Sequence, residues 1–250
     1  MGRGVRIGIP GMSTPFLTAQ WRYLAMLNYE VDPAILASLV PKGTLLDDEA
    51  GRHYVSLIGF LFLGTRIFGL PAFFHENFEE VNLRFYVRRE LPDGSHNGVV
   101  FIREIVSLPL VAETAKLTYN EPYVTAPTRH SLIRTNDELQ SVEYTFGSKQ
   151  RQCRIALHVD GSPTPIESGS HEEFISQRAW GFTRQRDGGT IEYAVDHPRW
   201  SVWRNARYEL DGPLGDFYTG PFSSILSGVP ASAFVADGSA IAVHLPHRIA

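Results

Sequence analysis

The chain has 250 residues, of which 43% are hydrophobic and 12% aromatic, so it contains enough apolar material for a sizeable core. Its 23 basic and 27 acidic side chains give a formal charge of −4, which argues against general nucleic-acid binding because that function needs a basic surface. The single cysteine, Cys153, excludes an internal disulfide framework and a cysteine-rich zinc site. We expect a globular protein with one domain that spans residues 1–250.

Signals for export or for membrane insertion are missing from the sequence. Residues 1–10 contain no apolar stretch of the length found in signal peptides. The most apolar run, at residues 55–63, is much shorter than the roughly 20 residues that cross a bilayer. We therefore predict a buried strand for that run, no membrane partner and a cytoplasmic location.

The first half of the chain predicts strands with two short helices. Residues 32–41 have a helical pattern, in which Asp32 can cap the first turn and a proline ends the last. Residues 81–87 alternate between apolar and polar side chains, as half-buried strands do, and residues 99–106 are predicted to pair with them. Residues 110–119 predict the second helix.

The second half of the chain continues the same pattern. Residues 170–173 form a capping box, and the helix that they open is predicted to run to about residue 178. Short alternating segments predict four more strands, the first two as a hairpin, at residues 141–146, 153–159, 190–195 and 240–245. The predicted fold class is α+β, with a mainly antiparallel sheet that is curved or closed like a barrel and a few short helices.

Motifs for common cofactors and catalytic groups are absent from the sequence. It contains neither of the glycine-rich phosphate loops GxxxxGK[ST] and GxGxxG, no GxSxG elbow and no HExxH. The nine histidines are scattered along the chain. Cys153 lies on the apolar side of a predicted strand, where a buried thiol is expected rather than a nucleophile. We predict no cofactor and no metal site.

The densest polar and aromatic segment is the strand around residue 83. One of its faces could line a cavity in which Arg84 holds an anion, because a guanidinium offers a fork of donors to a carboxylate. Either Arg103 or Glu104 of the next strand could join that face. On the pattern alone, a solvated outer face is the favoured interpretation. The polar face consists of Glu80, Asn82, Arg84 and Tyr86.

Two other polar segments have a structural and a functional interpretation. Tyr119 and Tyr123 flank the exit of the predicted second helix, where packing alone is enough to explain them. His197 could act as a general base. The surrounding residues 196–200 are more typical of a turn that places Trp200 in the core.

Six short segments match, in order, the pattern of a known family; the most distinctive is an ExNLRxYV strand at residues 80–87. On these segments the chain resembles the YqjF-like family of uncharacterised bacterial proteins, whose fold is similar to that of acetoacetate decarboxylase. The resemblance covers about residues 21–200 and implies an antiparallel, barrel-like domain. The segments lie at residues 31–41, 80–87, 98–101, 115–123, 169–178 and 197–200.

The resemblance implies a pocket more than a reaction. Acetoacetate decarboxylases use a Schiff-base lysine from a lysine pair that follows a proline at the helix exit. This chain has Pro122, Tyr123 and Val124 at that place. We therefore do not expect Schiff-base decarboxylation. The only lysines of the sequence are Lys42, Lys116 and Lys149.

Three hypotheses for the function remain. In the first, a polar barrel cavity binds a small carboxylate or keto compound through Asn82, Arg84, Tyr86, Tyr119 and Tyr123. In the second, the protein is an enzyme that uses Glu80 or Glu104 as a general acid or base and Arg84 as the electrostatic stabiliser. In the third, it is a structural module or homo-oligomer without a ligand. Binding is the leading hypothesis, and a raised carboxyl pKa in the cavity favours the enzyme.

Overall fold

The computed structural model describes residues 15–250, so the predictions for residues 1–10 lie outside the described part. The helices are α1 (Pro33–Leu36), α2 (Pro109–Tyr119), α3 (His171–Ser176) and α4 (Pro221–Leu226), with a 3-10 helix at Leu214–Asp216. The strands are β1 (Leu17–Val31), β2 (Leu45–Leu46), β3 (His53–Ile67), β4 (Leu70–Pro71), β5 (Phe78–Leu91), β6 (Gly94–Val106), β7 (Tyr123–Thr125), β8 (Thr128–Thr135), β9 (Glu138–Ser148), β10 (Arg151–His158), β11 (Thr164–Pro165), β12 (Trp180–Arg184), β13 (Thr190–Asp196), β14 (Ser201–Trp203), β15 (Arg207–Asp211), β16 (Ser232–Val243) and β17 (His247–Arg248).

The larger of two sheets closes on itself. Its strands follow the order β16-β1-β3-β5-β6-β12-β13, and the register Val195↔Val243 joins β13 back to β16. Neighbours in this ring are antiparallel, with the exception of the short parallel pair β6–β12. The result is a ring-like sheet rather than a regular barrel, which confirms the predicted α+β class.

The smaller sheet covers one side of the ring. It has the order β15-β10-β9-β8, and its inward side chains Val142, Tyr144 and Ile155 belong to the same hydrophobic core as Leu57 and Leu83 of the ring. Cys153, predicted to be buried, has no exposed surface and lies in that core. The core therefore covers the apolar face of β5.

Most predicted elements are present, and two helices are shorter than predicted. Asp32 caps α1 by accepting a hydrogen bond of 2.8 Å from the amide of Ala34. The helix ends after Leu36, because the following residues turn toward Pro41. In α3 the Ser170 hydroxyl accepts from the amide of Glu173 at 3.2 Å, as in a capping box, and the helix ends two residues before its predicted end.

Two central strands differ from the predictions. β1 was not predicted at all, and β16 begins eight residues before the short strand predicted at 240–245. The apolar run at 55–63 lies within β3, as predicted. Within residues 15–250, the structure contains no helix that is long and apolar enough to cross a membrane.

Close contact between the two sheets depends on the absence of a side chain at residue 59. A Cβ atom on Gly59 of β3 would come within 2.6 Å of the buried Tyr144 ring. We expect Gly59→Ala to destabilise the protein by about 1–3 kcal/mol through overpacking, which lowers the melting temperature by about 2–4 °C per kcal/mol. The matched control is Gly215→Ala, where a Cβ atom meets nothing within 4 Å. Equal melting temperatures for both variants, measured by circular dichroism, would contradict this account.

Candidate functional site

A cavity of about 390 Å³ lies against the polar face of β5. This volume lies within the range of about 300–1,000 Å³ that is typical of small-molecule sites. Its walls are mainly aromatic and aliphatic side chains from β1, β3, β6 and α2. Its polar lining residues include Glu80, Asn82, Arg84, Glu104, Tyr119, Glu121, Tyr123, Arg178, Tyr193 and His197.

The polar face of β5 is buried, so its interpretation as a solvated outer face is wrong. Glu80 is 2% exposed and Arg84 is 8% exposed. The reason is the closure of the sheet, which turns this face toward the inside of the ring. Tyr86, predicted to line the cavity, is not among the described residues that do so. It is buried beyond Arg84, and its hydroxyl lies 2.5 Å from the Ser56 hydroxyl.

Glu80 is held on both carboxyl oxygens. The Asn82 side-chain amide donates to Oε1 at 3.0 Å, and the Tyr123 hydroxyl donates to Oε2 at 2.9 Å. Burial raises the pKa of Glu80 to about 7, although these two hydrogen bonds and the charge of Arg84 act in the opposite direction. Glu80 is therefore a fixed carboxyl group that titrates near neutral pH.

Glu104 is the second buried carboxyl group of the cavity. It lies opposite Asn82 in the β5–β6 pairing, so it joins the polar face. Burial, followed by the charges of Glu121 and Glu80, raises the pKa of Glu104 well above its usual value. Its Oε2 atom has no hydrogen-bond partner among the described residues. A protonated Glu104 can donate this proton to a ligand.

Glu121 is a third buried carboxyl group, which the sequence analysis missed. It follows Asn120, whose left-handed conformation (φ 58°) ends α2. The Thr183 hydroxyl donates to its Oε1 at 2.5 Å and the Tyr193 hydroxyl does so at 2.8 Å. Burial raises the pKa of Glu121 to about 8. Its position between a helix end and a proline is the only local signal, and both donors come from distant strands.

The two arginines that line the cavity differ in how many of their hydrogen-bond donors are already paired. Arg178 donates to Asp47 and to the carbonyl oxygen of Phe174, both at 2.6 Å. Arg84 donates through Nη2 to the carbonyl oxygen of Ile175 at 3.0 Å, while its Nε has no partner among the described residues. Arg84 thus retains an unpaired donor.

The aromatic and imidazole groups complete the polar part of the cavity. Tyr119 donates to the carbonyl oxygen of His244 at 3.2 Å. Burial raises the pKa of the Tyr123 and Tyr193 phenols well above the usual value, so both remain protonated donors. Desolvation lowers the pKa of His197, which stacks on Trp200 with ring centroids 4.4 Å apart. Trp200 is buried, which confirms its predicted place in the core.

Lysine side chains do not line this cavity. Lys42 and Lys149 are exposed, and Lys116 forms a 2.7 Å ion pair with Glu113 on the outside of α2. Among residues 15–250, no cluster of three His, Cys, Asp or Glu residues is arranged to hold a metal ion. The chemistry that these residues offer is hydrogen bonding, charge and proton transfer.

Comparisons with known proteins agree with this architecture. The chain is 25% identical to the uncharacterized protein YqjF of Bacillus subtilis over 191 residues, which is 76% of each protein. It is similar in structure to acetoacetate decarboxylase from Legionella pneumophila, with a TM-score of 0.66, 13% identity and coverage of 98% and 94% of the two chains. The enduracididine biosynthesis enzyme MppR complexed with pyruvate gives a TM-score of 0.63, 12% identity and coverage of 100% and 99%.

These similarities confirm the resemblance drawn from the sequence segments and give the chain an acetoacetate decarboxylase-like fold. The family described as "uncharacterized conserved protein", DUF2071, matches residues 18–239. Since this match covers most of the sequence, the chain belongs to the DUF2071 family.

Proposed function

We propose that the cavity binds a small carboxylic or keto acid. The observation that supports this proposal is a set of buried polar atoms that lack partners among the described residues and belong to residues lining one cavity. An unpartnered buried polar atom costs about 1–3 kcal/mol, so a ligand that pairs with several of them gains affinity. The atoms on the polar face and at the end of α2 are Asn82 Oδ1, Arg84 Nε, Glu104 Oε2 and Glu121 Oε2, and the rest of the lining adds Trp21 Nε1 and Thr65 Oγ1.

Each part of such a ligand has a complement in the cavity. The carboxylate pairs with the free donor of Arg84. A protonated Glu104 or Glu121 donates to the keto oxygen, because both have a raised pKa and one unpartnered oxygen. A protein of the same fold, MppR, has been observed in complex with pyruvate, which is a keto acid.

The charge balance of the cavity couples binding to protonation. Glu80, Glu104 and Glu121 are all buried in the lining of one cavity, and Glu80 feels the positive charge of Arg84. An added carboxylate is repelled if these glutamates are ionised, since a buried cavity screens charges poorly. The proposed ligand therefore binds best when the glutamates carry protons.

The role of Arg84 is tested by calorimetric titration of pyruvate and longer keto acids into wild type and Arg84→Met. A hydrogen bond to a charged group contributes about 1.5–3 kcal/mol, so we expect the variant to lose about 10- to 150-fold in affinity. The matched control is Arg151→Met, because Arg151 is an exposed partner of Asp216 outside the cavity. Equal affinities for all three proteins would contradict the proposal that Arg84 pairs with the carboxylate of the ligand.

The affinity for these acids is also expected to depend on pH. A raised carboxyl pKa means that the neutral form persists to higher pH, so the affinity is highest below about pH 7 and falls as Glu80 (about 7) and Glu121 (about 8) ionise. If binding requires one carboxyl group to be protonated, the affinity falls about tenfold for each pH unit above the pKa of that group. Glu121→Gln should flatten this profile, whereas exposed Glu138→Gln should not. Pyruvate titrations from pH 6 to 9 that show constant affinity would contradict the coupling.

Proton transfer is a second candidate function, and it is favoured by Glu104. This carboxyl group has a raised pKa and an oxygen without a hydrogen-bond partner, and the guanidinium of Arg84 lines the same cavity. As a base it would take a proton from the carbon next to the keto group, while Arg84 stabilises the negative charge that develops on the enolate. The proton on Glu104 exchanges with water, and Glu104 then returns a proton to the enolate carbon, so that water is the only other reactant.

This activity is tested by following deuterium incorporation at that carbon by NMR in D₂O. General base catalysis contributes about 10²–10⁴-fold, so Glu104→Gln should lower the exchange rate by that factor while the affinity changes little. Glu113→Gln, an exposed change on α2, serves as the control. Exchange in wild type at the rate of buffer alone would exclude this function and leave binding.

A further inference from the structure

We infer that the ligand of this cavity is an acid with an apolar tail of medium length, which lies along an aromatic wall and reaches the surface of the protein. The inference rests on the proposed function for the acidic head group. It concerns a different part of the cavity, which lies toward the beginning of β5. Three features of that part support it.

The first feature is an aromatic wall built by β1, β3 and β5. Trp21 packs edge-on against Phe60 at 5.5 Å and against Phe62 at 5.8 Å between ring centroids. Phe62 stacks on Phe78, directly opposite in the sheet, at 4.5 Å. All four rings line the cavity. The rings of Phe60, Phe62 and Phe78 carry no hydrogen-bonding group, and Trp21 adds one, its indole N–H, which has no partner among the described residues. The wall is therefore mainly apolar contact area, as an alkyl chain needs.

The second feature is an apolar mouth. Phe73, in the segment before β5, is 70% exposed, and Leu110, at the start of α2, is 62% exposed. Both also line the cavity, together with Val111 and Ala115 on the same side of α2. Large apolar side chains that face both solvent and a cavity gain free energy when an apolar group covers them.

The third feature is the length of the cavity along β5. Phe78 and Arg84 both line it and are six residues apart, which corresponds to about 20 Å at about 3.4 Å per residue. With bonds of about 1.5 Å, a four-carbon acid is only about 5 Å long. An acid held at Arg84 therefore needs a longer tail to contact the rings around Phe78.

The inference is tested with straight-chain 2-oxo acids of about 4 to 16 carbons, titrated into the wild-type protein by calorimetry. Each buried methylene contributes about fourfold in affinity. A length of about 20 Å corresponds to about 13 bonds, so we expect the affinity to rise to about 14 carbons and then to level off. In Phe73→Ser and Leu110→Ser the affinity for the longest acids should fall by about tenfold, whereas the affinity for the four-carbon acid should not change. Both residues are exposed, so these variants should fold.

Phe74→Ser is the matched control. Phe74 is 99% exposed and is not among the described residues that line the cavity, so its loss should change no affinity in the series. Affinities independent of chain length would overturn the apolar tail and leave the proposed function standing. Alcohols that bind as well as acids of the same length would overturn the acidic head group, and with it the proposed function, while the tail would stand. Failure of every acid and alcohol to bind would overturn both.

Discussion

The closure of the large sheet is the constraint on which the rest of the structure depends. Pairing of β13 with β16 closes the ring and so removes the polar face of β5 from water. One face of β5 is covered by the core shared with the smaller sheet, and the other faces the cavity. In an open sheet the polar face could be solvated and Glu80 would be an ordinary surface carboxylate. In the ring, the same side chain must find hydrogen-bond partners and shifts its pKa to about 7.

The local pattern predicts β5 and β6 well because alternation is a property of the strand itself. Their pairing extends over most of both strands, from Leu91↔Gly94 at the turn to Glu80↔Val106. Alternation does not report which face meets water, however. For this reason the pattern alone favours a solvated polar face. Only the resemblance to a family with an acetoacetate decarboxylase-like fold favours a cavity, and that fold is confirmed.

Strands that are interrupted were harder to predict. β1 has two register shifts against β3 and a positive φ of 54° at Tyr23, so no clean alternation is visible in its sequence. In β16 the sequence Asp-Gly-Ser at 237–239 is typical of a turn. Gly238 instead continues the strand with φ 84°, and a Cβ there would come within 2.1 Å of the Trp21 carbonyl oxygen. The close approach of β1, rather than a turn, explains this glycine.

Glu121 was missed for a different physical reason. Its burial depends on partners that lie 62 and 72 residues later, Thr183 and Tyr193, and no local pattern contains that information. The predicted residues Glu80, Asn82, Arg84 and Glu104 lie on two adjacent strands, where register alone brings them together. Sequence reasoning thus located the part of the candidate site that one hairpin builds, together with Tyr119 and Tyr123 at the exit of α2. It did not locate the part that the closure of the ring adds.

The position of Tyr123 determines what kind of chemistry this cavity can support. It follows Pro122, at the place where the resemblance to acetoacetate decarboxylases implies a Schiff-base lysine, and here its hydroxyl donates to Glu80. Tyrosine has no amine, so it cannot form a Schiff base. Burial raises the pKa of the Tyr123 phenol, so the phenol stays protonated and can hold a carboxyl group in place by a hydrogen bond. Three neighbouring carboxyl groups in such a cavity cannot all be ionised near neutral pH. The protonation of these carboxyl groups therefore sets the charge that the proposed ligand meets in the cavity.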